Sequence, residues 1–137
     1  MALGVCLITS ENKSENAEEL RGLFERCGLE VSTPHSPEAD DGHIYDAAVC
    51  LVIDMPQGGA LRTLRLFRAY GITTPALLIV DPGREVDPET LDCGWVMDVI
   101  PRGSNPLRVL RWVQSMCAAR KLLSSRARQS KETDRAA

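Results

Sequence analysis

Residues 46–61, DAAVCLVIDMPQGGAL, decide the fold. Ala47 to Ile53 is wholly apolar, the mark of a strand covered on both faces, so it is read as the central buried strand. Met55-Pro56 and Gly58-Gly59 follow, and a helix is predicted over 59–70. Leu61, Leu64 and Phe67 fall on its inner side, Arg62, Arg65 and Arg68 on its outer side, and Gly71 ends it. This is a strand, a turn and a helix, the repeating unit of a parallel sheet.

The same alternation extends in both directions. Upstream, Gly4 to Ile8 forms an apolar strand, and Ser14 caps a helix over 15–27 that places Ala17, Leu20, Leu23, Phe24 and Cys27 on one face before Gly28 stops it. A brief strand over 29–33 follows, and Ser36-Pro37-Glu38 opens a short helix that Gly42 interrupts. Downstream, Pro75 to Val80 reads as a fourth strand, Asp87-Pro88-Glu89 opens an unusually short fourth helix ending near Cys93, and Trp95 to Ile100 gives a fifth strand. Asn105-Pro106 caps a last helix with Leu107, Leu110, Val113 and Cys117 inward. Five apolar strands alternating with five helices imply right-handed crossovers and an α/β, flavodoxin-like three-layer sandwich around a five-stranded parallel sheet. In such a sheet reactive groups collect beyond the carboxyl ends of the strands, here 9–12, 54–58, 80–83 and 101–103.

Composition narrows the function classes. The chain has 137 residues, enough for one core, and 44% apolar content. It has no apolar run long enough to span a membrane and no basic region ahead of the short N-terminal apolar run, so a cytoplasmic protein is expected. Its five cysteines are scattered, with no C-x-x-C pair and no histidine at ligand spacing, so neither a zinc site nor a disulfide framework is expected. Cys6 and Cys50 sit in strand runs as small buried hydrophobes, and nothing points to a lowered thiol pKa. His35 and His43, the only histidines, have no nucleophile or ligand partner and read as surface residues.

The net charge of −3 hides a split. Residues 1–117 hold ten Lys/Arg against seventeen Asp/Glu, net −7, and residues 118–137 hold six against two, net +4. The chain thus reads as a domain over 1–120 and a basic tail over 121–137 that is expected to be frayed and solvated. A nucleic-acid role would rest on that tail alone and is not favoured.

Residues 3–120 resemble the receiver domain of bacterial response regulators, of the CheY-like type. The likeness rests on the joint register of Gly28-Leu29-Glu30-Val31, Met55-Pro56, Thr74-Pro75 and Cys93-Gly94 with the element order. The resemblance implies a phosphoacceptor aspartate three residues before Met55, an acidic pair after the first strand that holds a divalent cation, a hydroxyl at the end of the fourth strand and a lysine before a proline after the fifth. This chain has Val52, Thr9-Ser10, Val80 and Pro101 at those places. Mg2+ needs carboxylate oxygens, and two hydroxyls remove most of the charge that would hold it. Without it the charge developing in phosphoryl transfer lacks a counter-charge.

Two readings of Asp54 stay open. In one it is a relocated acceptor, with Glu11, Asp81 and Arg102 standing in for cation ligands and lysine and with Mg2+ as cofactor. In the other it is a solvated or loop-capping carboxylate at a strand end, and the domain is a degenerate receiver that catalyses nothing, needs no cofactor and binds other proteins. The second is preferred. Gly58-Gly59 lacks a P-loop lysine and reads as a helix start. A small flavodoxin-like protein binding a phosphate-bearing ligand is a further alternative, opposed by the acidic loops at Glu11, Asp54 and Asp81. The resemblance implies docking through the fourth-helix, fifth-strand and last-helix face, where Trp95, Arg108, Arg111 and Trp112 are candidates, and the basic tail is a further candidate contact for an acidic partner surface. Partners would be a histidine kinase, a phosphotransfer protein, a response regulator or a second copy. Too few residues follow the last helix for a DNA-binding module, so the expected protein is a stand-alone receiver-like domain.

Overall fold

The computed structural model describes residues 3–9, 15–33, 45, 47–55, 59–81 and 98–136. Its strands are β1 (Gly4–Thr9), β2 (Glu30–Ser32), β3 (Ala48–Asp54), β4 (Ala76–Val80) and β5 (Asp98–Pro101). They form one parallel sheet in the order β2-β1-β3-β4-β5. The described helices are α1 (Glu15–Arg26), α2 (Gly59–Ala69) and α3 (Pro106–Ala136). The short helices predicted near 36–42 and over 87–93 lie outside the described residues.

Every residue of β3 is buried, as its unbroken apolar run requires of a strand with helices on both sides. On one face Val5, Leu7, Cys50, Val52, Leu77, Ile79 and Ile100 pack against Ala17, Leu20 and Phe24 of α1 and Val109, Leu110, Val113 and Cys117 of α3. On the other, Cys6, Ile8, Leu51, Ile53 and Leu78 meet Ala60, Leu64 and Phe67 of α2, with Tyr45 set edge-on to Phe67 at 5.1 Å between ring centroids. Helices α1 and α2 end alike. Leu29 N–H donates to Phe24 C=O and Gly28 N–H to Glu25 C=O, and Ile72 and Gly71 repeat the pair on Phe67 and Arg68. Gly28 and Gly71 hold the positive φ, 81° and 80°, that this termination requires.

Four expectations need correction. Cys27, expected on the inner face of the first helix, is exposed just past its end. Asp54 is the last residue of β3 rather than the first of a loop. Leu107 is 47% exposed, and Val109 takes the inward place instead. The last helix does not stop near residue 120: α3 runs 31 residues, and the tail expected to fray is helical. No glycine or second proline interrupts 107–136, and alanine, leucine, arginine, lysine and glutamine, all strong helix formers, dominate it. Arg120 secures the middle of α3 to the sheet by donating to Ala48 C=O at 2.8 Å.

Candidate functional site

Parallel pairing aligns Thr9, Asp54, Ile79 and Ile100 in one row across β1, β3, β4 and β5 at the carboxyl edge. Side chains alternate along a strand, so Asp54 shares its face with Cys50 and Val52 and points toward the α1 and α3 side. Asp54 is 3% exposed, the one buried charged residue among those described.

The cation opposite it comes from the turn after β5. Ser104 N–H donates to Pro101 C=O at 3.2 Å, closing a four-residue turn, and Gly103 supplies the φ of +89° at its third position. Arg102 N–H donates to Val80 C=O at 2.6 Å, which ties the turn to β4. Asn105 then caps α3, its Oδ1 accepting from Leu107 N–H at 3.0 Å with Pro106 in the first helical position. Held in this way, the Arg102 guanidinium lies between two carboxylates. Nε donates to Asp81 Oδ1 at 2.8 Å, and Nη1 sits 2.7 Å from Asp54 Oδ1.

The contact with Asp54 is an ion pair by distance but not a well-aligned hydrogen bond. Among the described residues neither Asp54 oxygen nor Arg102 Nη2 has a hydrogen-bond partner of good geometry. Burial pushes the Asp54 carboxyl above the usual carboxylate range, and Arg102 draws it only part of the way back. A cavity of about 30 Å³ adjoins the pair, walled by Leu20, Ile79, Ile100 and Val109. It has room for roughly one or two waters.

The positions singled out by sequence separate clearly. Val52, which the receiver spacing puts at the acceptor place, is 0% exposed inside β3, two residues short of the edge. The carboxylate at the strand end is Asp54, and it is buried and ion-paired rather than solvated. Thr9 and Val80 are half-buried at the ends of β1 and β4, and Pro101 is exposed at the end of β5. Asp81 and Arg102 are brought together; Ser10 and Glu11 lie outside the described residues. Arg108 and Arg111 are exposed on α3, Trp112 is partly buried against the core, and Trp95 lies outside the described residues. Of the outward arginines on α2, Arg62 and Arg65 are exposed, while half-buried Arg68 donates to Ile72 C=O at 2.7 Å. Gly59 opens α2 so close to Met55 that an added Cβ would meet Met55 Cβ at 3.2 Å, consistent with a helix start set tight against the sheet.

The chain is similar to the signal receiver domain of a Vibrio parahaemolyticus protein, with a TM-score of 0.68 at 13% identity over 90% of this chain and 96% of that one. It is similar also to CheY-like receiver domains from Methanospirillum hungatei (TM-score 0.62, 12% identity, 86% of this chain and 98% of that one) and Methylobacillus flagellatus (0.62, 18%, 84% and 99%). The fold is that of a response-regulator receiver domain. No family model matches the sequence, and no curated protein does.

Receivers imply a divalent cation at this edge, and the described residues do not fit one. Both carboxylates described at the edge, Asp54 and Asp81, face the Arg102 guanidinium, which puts a positive charge where a cation would need free oxygens. Among the described residues no group of three or more His, Cys, Asp or Glu is arranged to hold a metal. No described helix is long and apolar enough to cross a membrane.

Proposed function

We propose that this receiver-like domain works without phosphorylation, as a module that docks on other signalling proteins. The observation that carries the reading is Arg102, whose guanidinium bridges Asp54 and Asp81 at 2.7 and 2.8 Å. A carboxylate attacks phosphorus through a free oxygen, and in-line approach needs space on the far side. At Asp54 the carboxylate is buried and its nearer oxygen faces a cation. The positive charge that would otherwise arrive with a metal is built into the chain. The pocket therefore holds one state.

Docking then depends on surface rather than on a switch. The candidate surface is the exposed side of α3, with Arg108, Arg111 and the exposed Leu107 beside partly buried Trp112. Arginine and tryptophan are the residue types that dominate interface energetics. A histidine kinase, a phosphotransfer protein or another response regulator is the class of partner proposed, and a second copy of the chain is the alternative occupant.

A second reading has its own support. Asp54 ends β3 level with Thr9 and has a cation 2.7 Å away, so a relocated acceptor assisted by Arg102 is chemically coherent. Incubation with a small phosphoryl donor and Mg2+, followed by intact-mass spectrometry, separates the two. We expect no mass gain under conditions that fully modify an ordinary receiver. A gain of one phosphoryl group that vanishes in Asp54→Asn would establish the acceptor instead.

A further inference from the structure

Helices α1 and α3 lie side by side on one face of the sheet and carry opposite charge. Their inner sides share one core, with Ala17, Leu20 and Phe24 of α1 beside Val109 and Val113 of α3. Both run from the carboxyl edge of the sheet back toward its amino edge, as helices that follow the strands of a parallel sheet do. Their outer sides differ. Residues 106–131 hold seven Lys/Arg and no Asp/Glu, whereas residues 1–53 hold ten Asp/Glu against three Lys/Arg. Glu18, Glu19 and Glu25 are exposed on α1, and Arg108 and Arg111 on α3. Arg21 pairs with Glu25 at 3.2 Å, so the negative charge of α1 is concentrated at Glu18 and Glu19.

Two cavities between the helices fix their relative height. Leu20 lines one with Pro106 and Val109, and Cys27 and Gly28 line the other with Gln114 and Cys117. Glu18 and Glu19 therefore stand level with the first turns of α3, from which Arg108 and Arg111 project. A half-turn about an axis lying in this face, parallel to the helices and midway between them, sets α1 of a second copy over α3 of the first and α3 over α1, at unchanged height. The patch is thus complementary to itself. Gly22, one turn on from Glu18 and Glu19, lies on the same outward side. Among the described residues a Cβ added there would meet only Arg26 Nη2, at 3.7 Å, so packing within the chain does not call for glycine, while a helix from outside could approach closely. Exposed Ser115, Ala118 and Ala119 give the outer side of α3 a similarly low relief.

We propose that two copies of the chain pair face to face through α1 and α3, with Glu18 and Glu19 of each meeting Arg108 and Arg111 of the other. The acidic body would repel a polyanion such as nucleic acid, whereas a second copy brings acid to the basic helix and base to the acidic one. The patch is modest. Helix α1 is about 18 Å long and two packed helices are about 20 Å across, so each copy buries about 400 Å², at the small end of specific interfaces. The dimer is therefore weak, in exchange with monomer, and sensitive to salt. The pairing rests on the docking reading for the use of α3 as a contact surface, and not on the chemistry of Asp54.

Sedimentation velocity on the full chain from about 10 µM to about 1 mM tests it. At about 50 mM salt the mean mass should climb toward twice that of the chain and no further, and at about 500 mM salt association should weaken at least about tenfold. Glu19→Lys and Arg111→Glu change exposed positions, and each should weaken self-association at least about tenfold by setting like charges together. Mixed in equal amounts the two variants should pair again, because every contact between unlike variants then joins opposite charges. A chain still monomeric at the highest concentration, growth beyond the dimer, charge reversals without effect, or a mixture that stays monomeric would each overturn the pairing. A monomer that binds another signalling protein through α3 would leave the docking reading standing, and a phosphoryl group on Asp54 would overturn that reading and leave the dimer.

Discussion

Replacing Arg102 with methionine isolates the electrostatics of the edge. The change keeps most of the side chain's length and removes the guanidinium that sits 2.7 Å from a carboxylate buried to 3% exposure. Removing one partner of a buried pair typically costs roughly 3–5 kcal/mol, because the remaining charge is left without compensation. Asp54 has an escape, since it can take up a proton at a cost of about 1.4 kcal/mol for each unit between its pKa and the pH. Burial has already raised that pKa in the native protein, so the escape is shorter than for an ordinary carboxylate. Arg102→Met is therefore expected to lose about 2–4 kcal/mol at pH 7.

The pH dependence distinguishes this account from loss of packing. A carboxyl whose folded pKa lies above its unfolded value holds a proton in the native state that the unfolded state has released. Stability then falls as pH rises from the unfolded value through the folded one, and the loss is complete above that window. Without Arg102 the folded value rises further, so the window widens upward. Urea titrations at pH 7 and pH 5 should show the deficit of Arg102→Met shrinking at the lower pH with an unchanged slope on denaturant. Asp54→Asn should stay within about 1 kcal/mol of the parent, since the desolvated charge is gone and Arg102 keeps Asp81. The double variant should be less impaired than Arg102→Met alone. A deficit under about 1 kcal/mol that is identical at the two pH values would refute the reasoning.

Other substitutions test the supports of the site and the core. Gly103→Val puts a β-branched residue at φ +89° and should cost about 1–3 kcal/mol in chemical denaturation. If it loosens the turn, the pH dependence of stability should also move toward that of Arg102→Met. Leu64→Ala empties a fully buried place between α2 and the sheet and should cost about 2–5 kcal/mol by thermal or urea unfolding. Arg120→Met removes the donor to Ala48 C=O and should cost about 1.5–3 kcal/mol, with faster hydrogen exchange in the second half of α3.

The fold was legible because its signals are periodic. The continuous apolar runs of β1, β3 and β4, the three-and-four spacing of Leu64 and Phe67, and the glycine stops at Gly28 and Gly71 each have one physical reading, and the structure realises them. The candidate site was legible only in outline. Family spacing aimed at Val52, but strand pairing rather than distance from Met55 sets which residue reaches the edge, and that residue is Asp54. Asp81, Arg102 and Asp54 were recognisable as neighbours because they follow adjacent strands of a parallel sheet. That the guanidinium lies between the two carboxylates depends on the conformation of the Pro101–Ser104 turn, which residue pattern alone does not fix. The length of α3 was misread for another reason. Amphipathic spacing ends near Cys117, yet intrinsic propensity carries the helix on after its inner stripe has run out.

That long helix has a geometric consequence. At 1.5 Å per residue α3 is about 46 Å long, and Arg120, about halfway along it, is bonded to the sheet at Ala48 C=O. The helical backbone beyond Leu123 continues the same axis as a stem. Adding one residue to the stem would swing everything beyond it by about 100° while moving it about 1.5 Å, whereas adding seven would carry it about 10 Å outward with only about 20° of rotation. Rotational phase and reach can thus be varied separately, and whatever meets the far end of the stem can be asked which of the two it reads.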